Sequence, residues 1–197
     1  MSPTATSIEE EGILIPCTKL VSKGRFLEQE LCEILTNGTY PVRNLPQNIA
    51  DLKAQTGANQ KGHIELTKLI NEYGDQVVAA YTGHIQDNAE ECVQRVIRDL
   101  HDCDFEYRMD DGLRIRVGIS IDTKAGTACV DFTGSSEQQD SNFNAPAAIT
   151  RAVVLYVFRC LIDNDIPLNA GCMRPITLII PDGSMLKPEY PLSLIHI

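Results

Sequence analysis

Between residues 100 and 115 the repeat of apolar side chains changes from one every three or four residues to one every two, and this switch limits what the chain can fold into. On the near side, Val78, Tyr81, Ile85, Ala89, Cys92, Val96 and Leu100 form one helical stripe that begins after Gly74, with Asp75 as its cap. On the far side, Ile115, Val117, Ile119 and Ile121 alternate with Arg114, Arg116, Gly118 and Ser120, the pattern of a half-buried strand. Thr123 to Gly126 turns the chain, and Ala128, Val130 and Phe132 face inward on a returning strand that ends at Gly134. A chain carrying both periods in blocks is α+β.

The flanks extend this picture. Residues 1–24 read as an extended arm with room for one strand at Ile13-Leu14-Ile15. Leu27, Leu31, Ile34 and Leu35 mark a short helix over Phe26 to Leu35 that stops at Asn37-Gly38. Pro46 opens a long helix running to Gly74, in which Gly57 and Gly62 each cost about 1 kcal/mol relative to Ala, a loss assigned to compensating packing. Two long helices joined at one Gly predict an antiparallel hairpin. Asp110-Asp111-Gly112 reads as a turn, and His101-Asp102-Cys103-Asp104 as a helix end followed by a turn. After Pro146, Ile149, Val153, Val157, Cys160 and Leu161 define an apolar helix, followed by a loop from Asp163 to Pro175 and a strand at Ile176 to Ile180. The expected fold is therefore a long helical hairpin packed beside a small β-sheet.

Several function classes fall away on composition. A formal charge of −10 repels a phosphate backbone, so nucleic acid is not an expected partner. No apolar run reaches the length of a membrane span, so no membrane is expected. Seven scattered cysteines without a Cys-x-x-Cys pair read as reduced thiols of a cytoplasmic protein. Neither a Gly-x-Gly-x-x-Gly run nor a phosphate loop nor a Gly-x-Ser-x-Gly elbow is present. His63, His84, His101 and His196 stand alone, without metal-ligand spacing, so no metal ligands are assigned. Two polar loops remain, Ser141 to Pro146 and Asn169 to Cys172, each able to line a pocket.

The strings EEEGILIP, QNIADLKAQ, QDNAEE, DFTGSS, NFNAP and DIPLNAGC, in this order, resemble the hydantoinase B/5-oxoprolinase family, over about residues 8 to 191. The resemblance implies a cytosolic enzyme that opens the cyclic amide 5-oxo-L-proline to L-glutamate while hydrolysing ATP, within the glutathione (γ-glutamyl) cycle. A hydantoinase A-type ATPase region would phosphorylate the amide oxygen, and the hydantoinase B region would receive the 5-oxoproline-derived intermediate and complete hydrolysis. ATP and a divalent metal are thus implied for the complete enzyme, a homo-oligomer, and no cofactor is expected on this chain by itself. The family's His- and Asp-rich metal motifs lie upstream, so residues 1–191 read as part of a larger hydantoinase B domain, inactive alone. Met1 then corresponds to an internal methionine, and LSLIHI at 192–197 to a non-native tail. Asn142, Asn144, Arg151, Asn169 and Cys172 are the candidate substrate-side residues, Arg151 offering a bidentate partner to a carboxylate, with catalytic roles unassigned. The alternative is a non-catalytic truncated subunit, a binding or scaffold module that exposes apolar surface along helices 46–103 or beyond strand 176–180.

Overall fold

The computed structural model describes residues 5–163 and 166–192. A short helix, α1 (Ile8–Glu11), is followed by a two-strand ribbon, β1 (Val21–Ser22) and β2 (Arg25–Phe26). Its turn residues Lys23 and Gly24 have φ of 49° and 77°, the paired positive values that match the twist of a tight hairpin. The strand expected at Ile13-Leu14-Ile15 is not formed. No partner strand lies beside those residues, Leu14 and Ile15 are half exposed, and strand pairing falls instead at Val21–Ser22.

Helix α2 (Glu28–Thr36) buries Leu31 and Leu35 against Ile49 at the start of α3 (Leu45–Tyr73), making a small apolar cluster of its own. Pro46 sits in the first turn of α3, and Asn44 Oδ1 accepts the Gln47 N–H at 3.2 Å to cap it. Gly74 alone, at φ 84°, joins α3 to α4 (Asp75–Arg98), and its N–H closes α3 on the Ile70 carbonyl at 2.8 Å. The expected capping by Asp75 does not occur. Gly74 holds the cap position, and Asp75 accepts only the adjacent Gln76 N–H, at 2.8 Å. The packing expected to offset Gly57 and Gly62 is absent as well, since no residue from 53 to 88 is buried and a Cβ at either glycine would meet nothing within 4 Å.

The second half of α4 behaves differently: Ala89, Cys92, Val93 and Ile97 enter the main core. There they meet a four-stranded mixed sheet of order β3 (Cys103–Arg108), β4 (Arg114–Asp122), β5 (Thr127–Asp131), β6 (Ile176–Ile179). The first three strands are antiparallel neighbours, and β6 runs parallel to β5. A parallel pair needs a crossover, and α5 (Ala147–Cys160) supplies it, burying Val154 and Phe158 in the same core. Ile115, Val117, Ile119 and Ile121 line the core face as their alternation requires. The α+β architecture is thus as expected.

One strand was not. The sequence pattern puts a helix end and a turn at His101–Asp104, whereas β3 begins at Cys103. Every residue of β3 is exposed, so no buried stripe marks it, and it is held by its ladder to β4 and by Asp102 Oδ1 accepting the Ile121 N–H at 2.7 Å. The turn at Asp110-Asp111-Gly112 is observed, with Asp111 Oδ1 accepting the Leu113 N–H at 3.1 Å and Gly112 at φ 85°.

Candidate functional site

The six strings that carry the resemblance come together in pairs. DFTGSS and NFNAP form the connection between β5 and α5. Asp131 Oδ1 accepts the Thr133 N–H at 2.8 Å, and the Thr133 hydroxyl and N–H together hold the Asp131 carboxyl below its ordinary range, with Arg116 adding to the effect. Gly134 turns the chain at φ 93°. Ser135 Oγ accepts the Arg116 N–H and donates to the Arg116 carbonyl, at 3.0 and 3.1 Å, while Ser136 Oγ accepts the Arg114 N–H at 3.0 Å. The two serines therefore occupy hydrogen-bonding groups of β4 beyond the point where β5 ends.

Within the same loop Asn144 is 0% exposed. Its Oδ1 accepts the Gln139 N–H at 2.9 Å, and its Nδ2 donates to the carbonyls of Gln139 and Ser141, both at 2.8 Å. The side chain is the internal staple of the loop. Asn142 beside it is half buried and Phe143 exposed. A second loop braces the first: the Ala145 N–H donates to the Met185 carbonyl at 2.7 Å, the Met185 N–H to the Ser136 carbonyl at 3.0 Å, and Thr150 Oγ1 to the Leu186 carbonyl at 3.2 Å. Arg151 stands exposed on α5, with no hydrogen-bond or ion-pair partner among the described residues.

QDNAEE and DIPLNAGC form the second pair, at the other end of the sheet. Asn169 caps a short 3-10 helix, Ala170–Met173, its Oδ1 accepting the Gly171 N–H at 2.8 Å, and its Nδ2 reaches the Ile85 carbonyl of α4 at 3.4 Å. Gly171 lies so close to α4 that a Cβ there would fall 2.0 Å from the Gln86 carbonyl oxygen. Arg174 completes the clamp, with Nη1 bonded to Asp87 at 2.8 Å and Glu90 at 3.1 Å and Nη2 to Gln86 at 2.6 Å. Those carboxylates raise the already high Arg174 pKa. Cys172 is 1% exposed, inside the main core.

The two predicted loops are therefore apart. Residues 170–173 lead into the start of β6, beside the start of β5, whereas loop 135–146 follows the end of β5. Asn142, Asn144 and Arg151 share one pole and Asn169 and Cys172 the other, with the length of α5, about 20 Å, between them.

The third pair escaped the sequence reading. EEEGILIP and QNIADLKAQ border a surface cavity of about 740 Å³, to which Glu11, Gly12, Ile13, Arg43, Gln47 and Asn48 contribute. A visible signal was the capping residue Asn44, which brings the loop before α3 against its first turn.

Among the described residues no group of three or more His, Cys, Asp or Glu lies close enough together to hold a metal. His196 lies outside the described residues. No described helix is long and apolar enough to cross a membrane.

The family model Hydantoinase B/oxoprolinase matches residues 1–196. The chain is 41% identical to "5-oxoprolinase PfmaA" of Pestalotiopsis fici over 98% of its length, and 36% identical to "5-oxoprolinase 1" of Arabidopsis thaliana over 99%. It spans only 16% and 17% of those two relatives. Among solved structures it resembles the ATP-dependent caprolactamase of Pseudomonas jessenii, with a TM-score of 0.78 and 25% identity over 96% of this chain and 33% of that one. It also shares its fold with a nucleotide-free acetone carboxylase, at a TM-score of 0.75 and 15% identity over 96% of this chain and 27% of that one.

Proposed function

Because the chain belongs to the hydantoinase B/oxoprolinase family, we propose that it is a piece of an ATP-dependent cyclic-amide hydrolase that converts 5-oxo-L-proline to L-glutamate. The observation that carries this reading is the similarity to relatives named 5-oxoprolinase along nearly the whole chain. A ring amide resists water because nitrogen donates into its carbonyl. Transfer of phosphate to the amide oxygen removes that protection, water adds to the carbon, the protonated ring nitrogen departs to leave an acyl phosphate, and a second water releases the phosphate, giving glutamate, ADP and phosphate. A hydantoinase A-type ATPase region performs the transfer and binds ATP, consistent with the missing phosphate loop here. The divalent metal belongs to residues outside this chain, and the residues of this chain act without it.

In this reading residues 1–191 are part of a hydantoinase B domain of a cytoplasmic homo-oligomer in the glutathione cycle. The tail beyond is non-native, and residues 193–197 of it lie outside the described residues. Asn142 and Arg151, with free polar ends at one pole, meet the 5-oxoproline-derived intermediate, and Arg151 pairs with its carboxylate. Asn144, Asn169 and Cys172 act behind them by fixing loop shape. The decisive assay follows glutamate and phosphate release from 5-oxoproline and ATP, with the complete enzyme and with the 197-residue chain. Coupled release by the complete enzyme and none by the chain is the expected result. Turnover by the chain alone, or by the complete enzyme only with a ketone and bicarbonate, would overturn it. A scaffold role is the second reading, favoured by the long uncovered stretch of α3 and α4.

A further inference from the structure

Of the three junctions, the one between residues 10–13 and residues 39–48 is not filled by its own side chains. Its volume of about 740 Å³ falls within the range of about 300–1,000 Å³ typical of small-molecule sites. Ile13, Pro41 and Val42 give it apolar lining, and a Cβ on Gly12 would meet nothing within 4 Å, so the backbone there borders open space. Its charged groups are of both signs. Glu10 and Glu11 lie on the α1 side, and Arg43 on the side that leads into α3. Arg43 has no hydrogen-bond or ion-pair partner among the described residues, so neither glutamate meets it.

Opposite charges that share a cavity without touching leave a gap that a molecule bearing both charges can bridge. The Glu10 carboxylate is held on its own side, its Oε2 accepting the Thr6 N–H at 3.1 Å. Arg43 presents a planar fork suited to a carboxylate, and the two glutamates suit an ammonium group. The Asn48 side chain, also without a hydrogen bond among the described residues, adds a donor and an acceptor beside them. A carboxylate and an ammonium group on a small, partly apolar body define a free α-amino acid. Other occupants complement the lining less well. A dicarboxylate sets one of its charges against Glu10 and Glu11, and a cyclic amide has no cationic group to offer them. A backbone segment from elsewhere in the complete protein carries neither charge itself, and must order two side chains at an entropic cost to supply both.

We propose that this cavity is a binding site for a free α-amino acid, with its carboxylate on Arg43 and its ammonium group on Glu10 and Glu11. L-Glutamate, the product assigned above, belongs to this class, and the inference does not depend on that reaction. It is tested by binding calorimetry of the complete enzyme without ATP, using L-glutamate, L-alanine, glutarate and 5-oxo-L-proline. At least one of the two amino acids should bind saturably. Arg43→Gln and Glu10→Gln should each weaken that binding at least about tenfold, whereas Lys124→Gln, which removes a charge from the β4–β5 turn, should leave it unchanged. Binding of L-glutamate alone identifies the reaction product as the ligand, and binding of both identifies a general amino-acid site. The melting temperature of the ligand-free enzyme should be the same for Arg43→Gln as for wild type, because Arg43 has no partner to lose. The proposal is overturned if neither amino acid binds, if binding is indifferent to both variants, or if glutarate or 5-oxo-L-proline shows the same dependence on Arg43. A lowered melting temperature of ligand-free Arg43→Gln enzyme also overturns it, since a segment of the complete protein then fills the cavity. Turnover of 5-oxo-L-proline by the wild type, measured separately, decides the reading of the reaction without bearing on this one.

Discussion

A β-carbon at Gly171 would sit 2.0 Å from the Gln86 carbonyl oxygen, while one at Gly57 or Gly62 would touch nothing. The same substitution therefore has opposite signs at these sites. Gly171→Ala is expected to lower stability by about 2–4 kcal/mol as the 3-10 helix is pushed off α4, and Gly57→Ala or Gly62→Ala to raise it by about 0.5–1 kcal/mol, read as denaturant midpoints. Asp131 gives a pH signature. Its folded pKa is depressed by Thr133, so its contribution is fully present above the ordinary aspartate range and is lost as pH falls through the folded value. Thr133→Val should shift the Asp131 carboxyl titration upward by NMR, with a small stability change because the group is largely solvated. Residue types were legible in the sequence, and partners were not. Asn144 is an amide with both donor and acceptor, as the loop pattern indicates, but nothing local shows that Gln139 and Ser141 take up those groups. The role of Gly171 depends on Gln86, 85 positions away, which no local pattern can reveal.

Elements with an apolar stripe were readable, with β3 the exception, and those too short for a period were not. Helices α2, α4 and α5 and strands β4 to β6 set apolar residues into the two clusters and their periodicity shows it, whereas α3 was read from an apolar stripe that past Leu52 stays largely exposed. Strand β3 buries none of its six residues, although Cys103, Phe105 and Tyr107 alternate with Asp104, Glu106 and Arg108, and β1 and β2 have two residues each, too few for any period. The same distinction predicts dynamics. Hydrogen exchange of the dilute, monomeric chain should find amides of residues 57–83 opening with far less protection than those of Ala89–Ile97, although one helix, α4, holds part of both sets. Equal protection along α4 would mean that its first turns are covered.

Across the whole molecule, six short strings dispersed over the sequence condense into three junctions, two closed by hydrogen bonds and close packing and one open to a cavity. Their order was legible, and their pairing in space was not. In the complete enzyme Arg151→Ala is expected to raise KM for 5-oxoproline by about tenfold without altering Tm, and Asn144→Ala to lower kcat and Tm together. Equal effects of the two variants would remove the distinction between contact and support. The Ile8 N–H donating to the Pro191 carbonyl at 2.9 Å and the Tyr190 hydroxyl bonded to Glu9 give the stretch from residue 8 to residue 191 the topology of a loop closed at its neck. Relinking such a unit neck-to-neck and reopening it at the Thr123–Gly126 turn is expected to leave both apolar clusters in place, read as unchanged circular dichroism and denaturant midpoint.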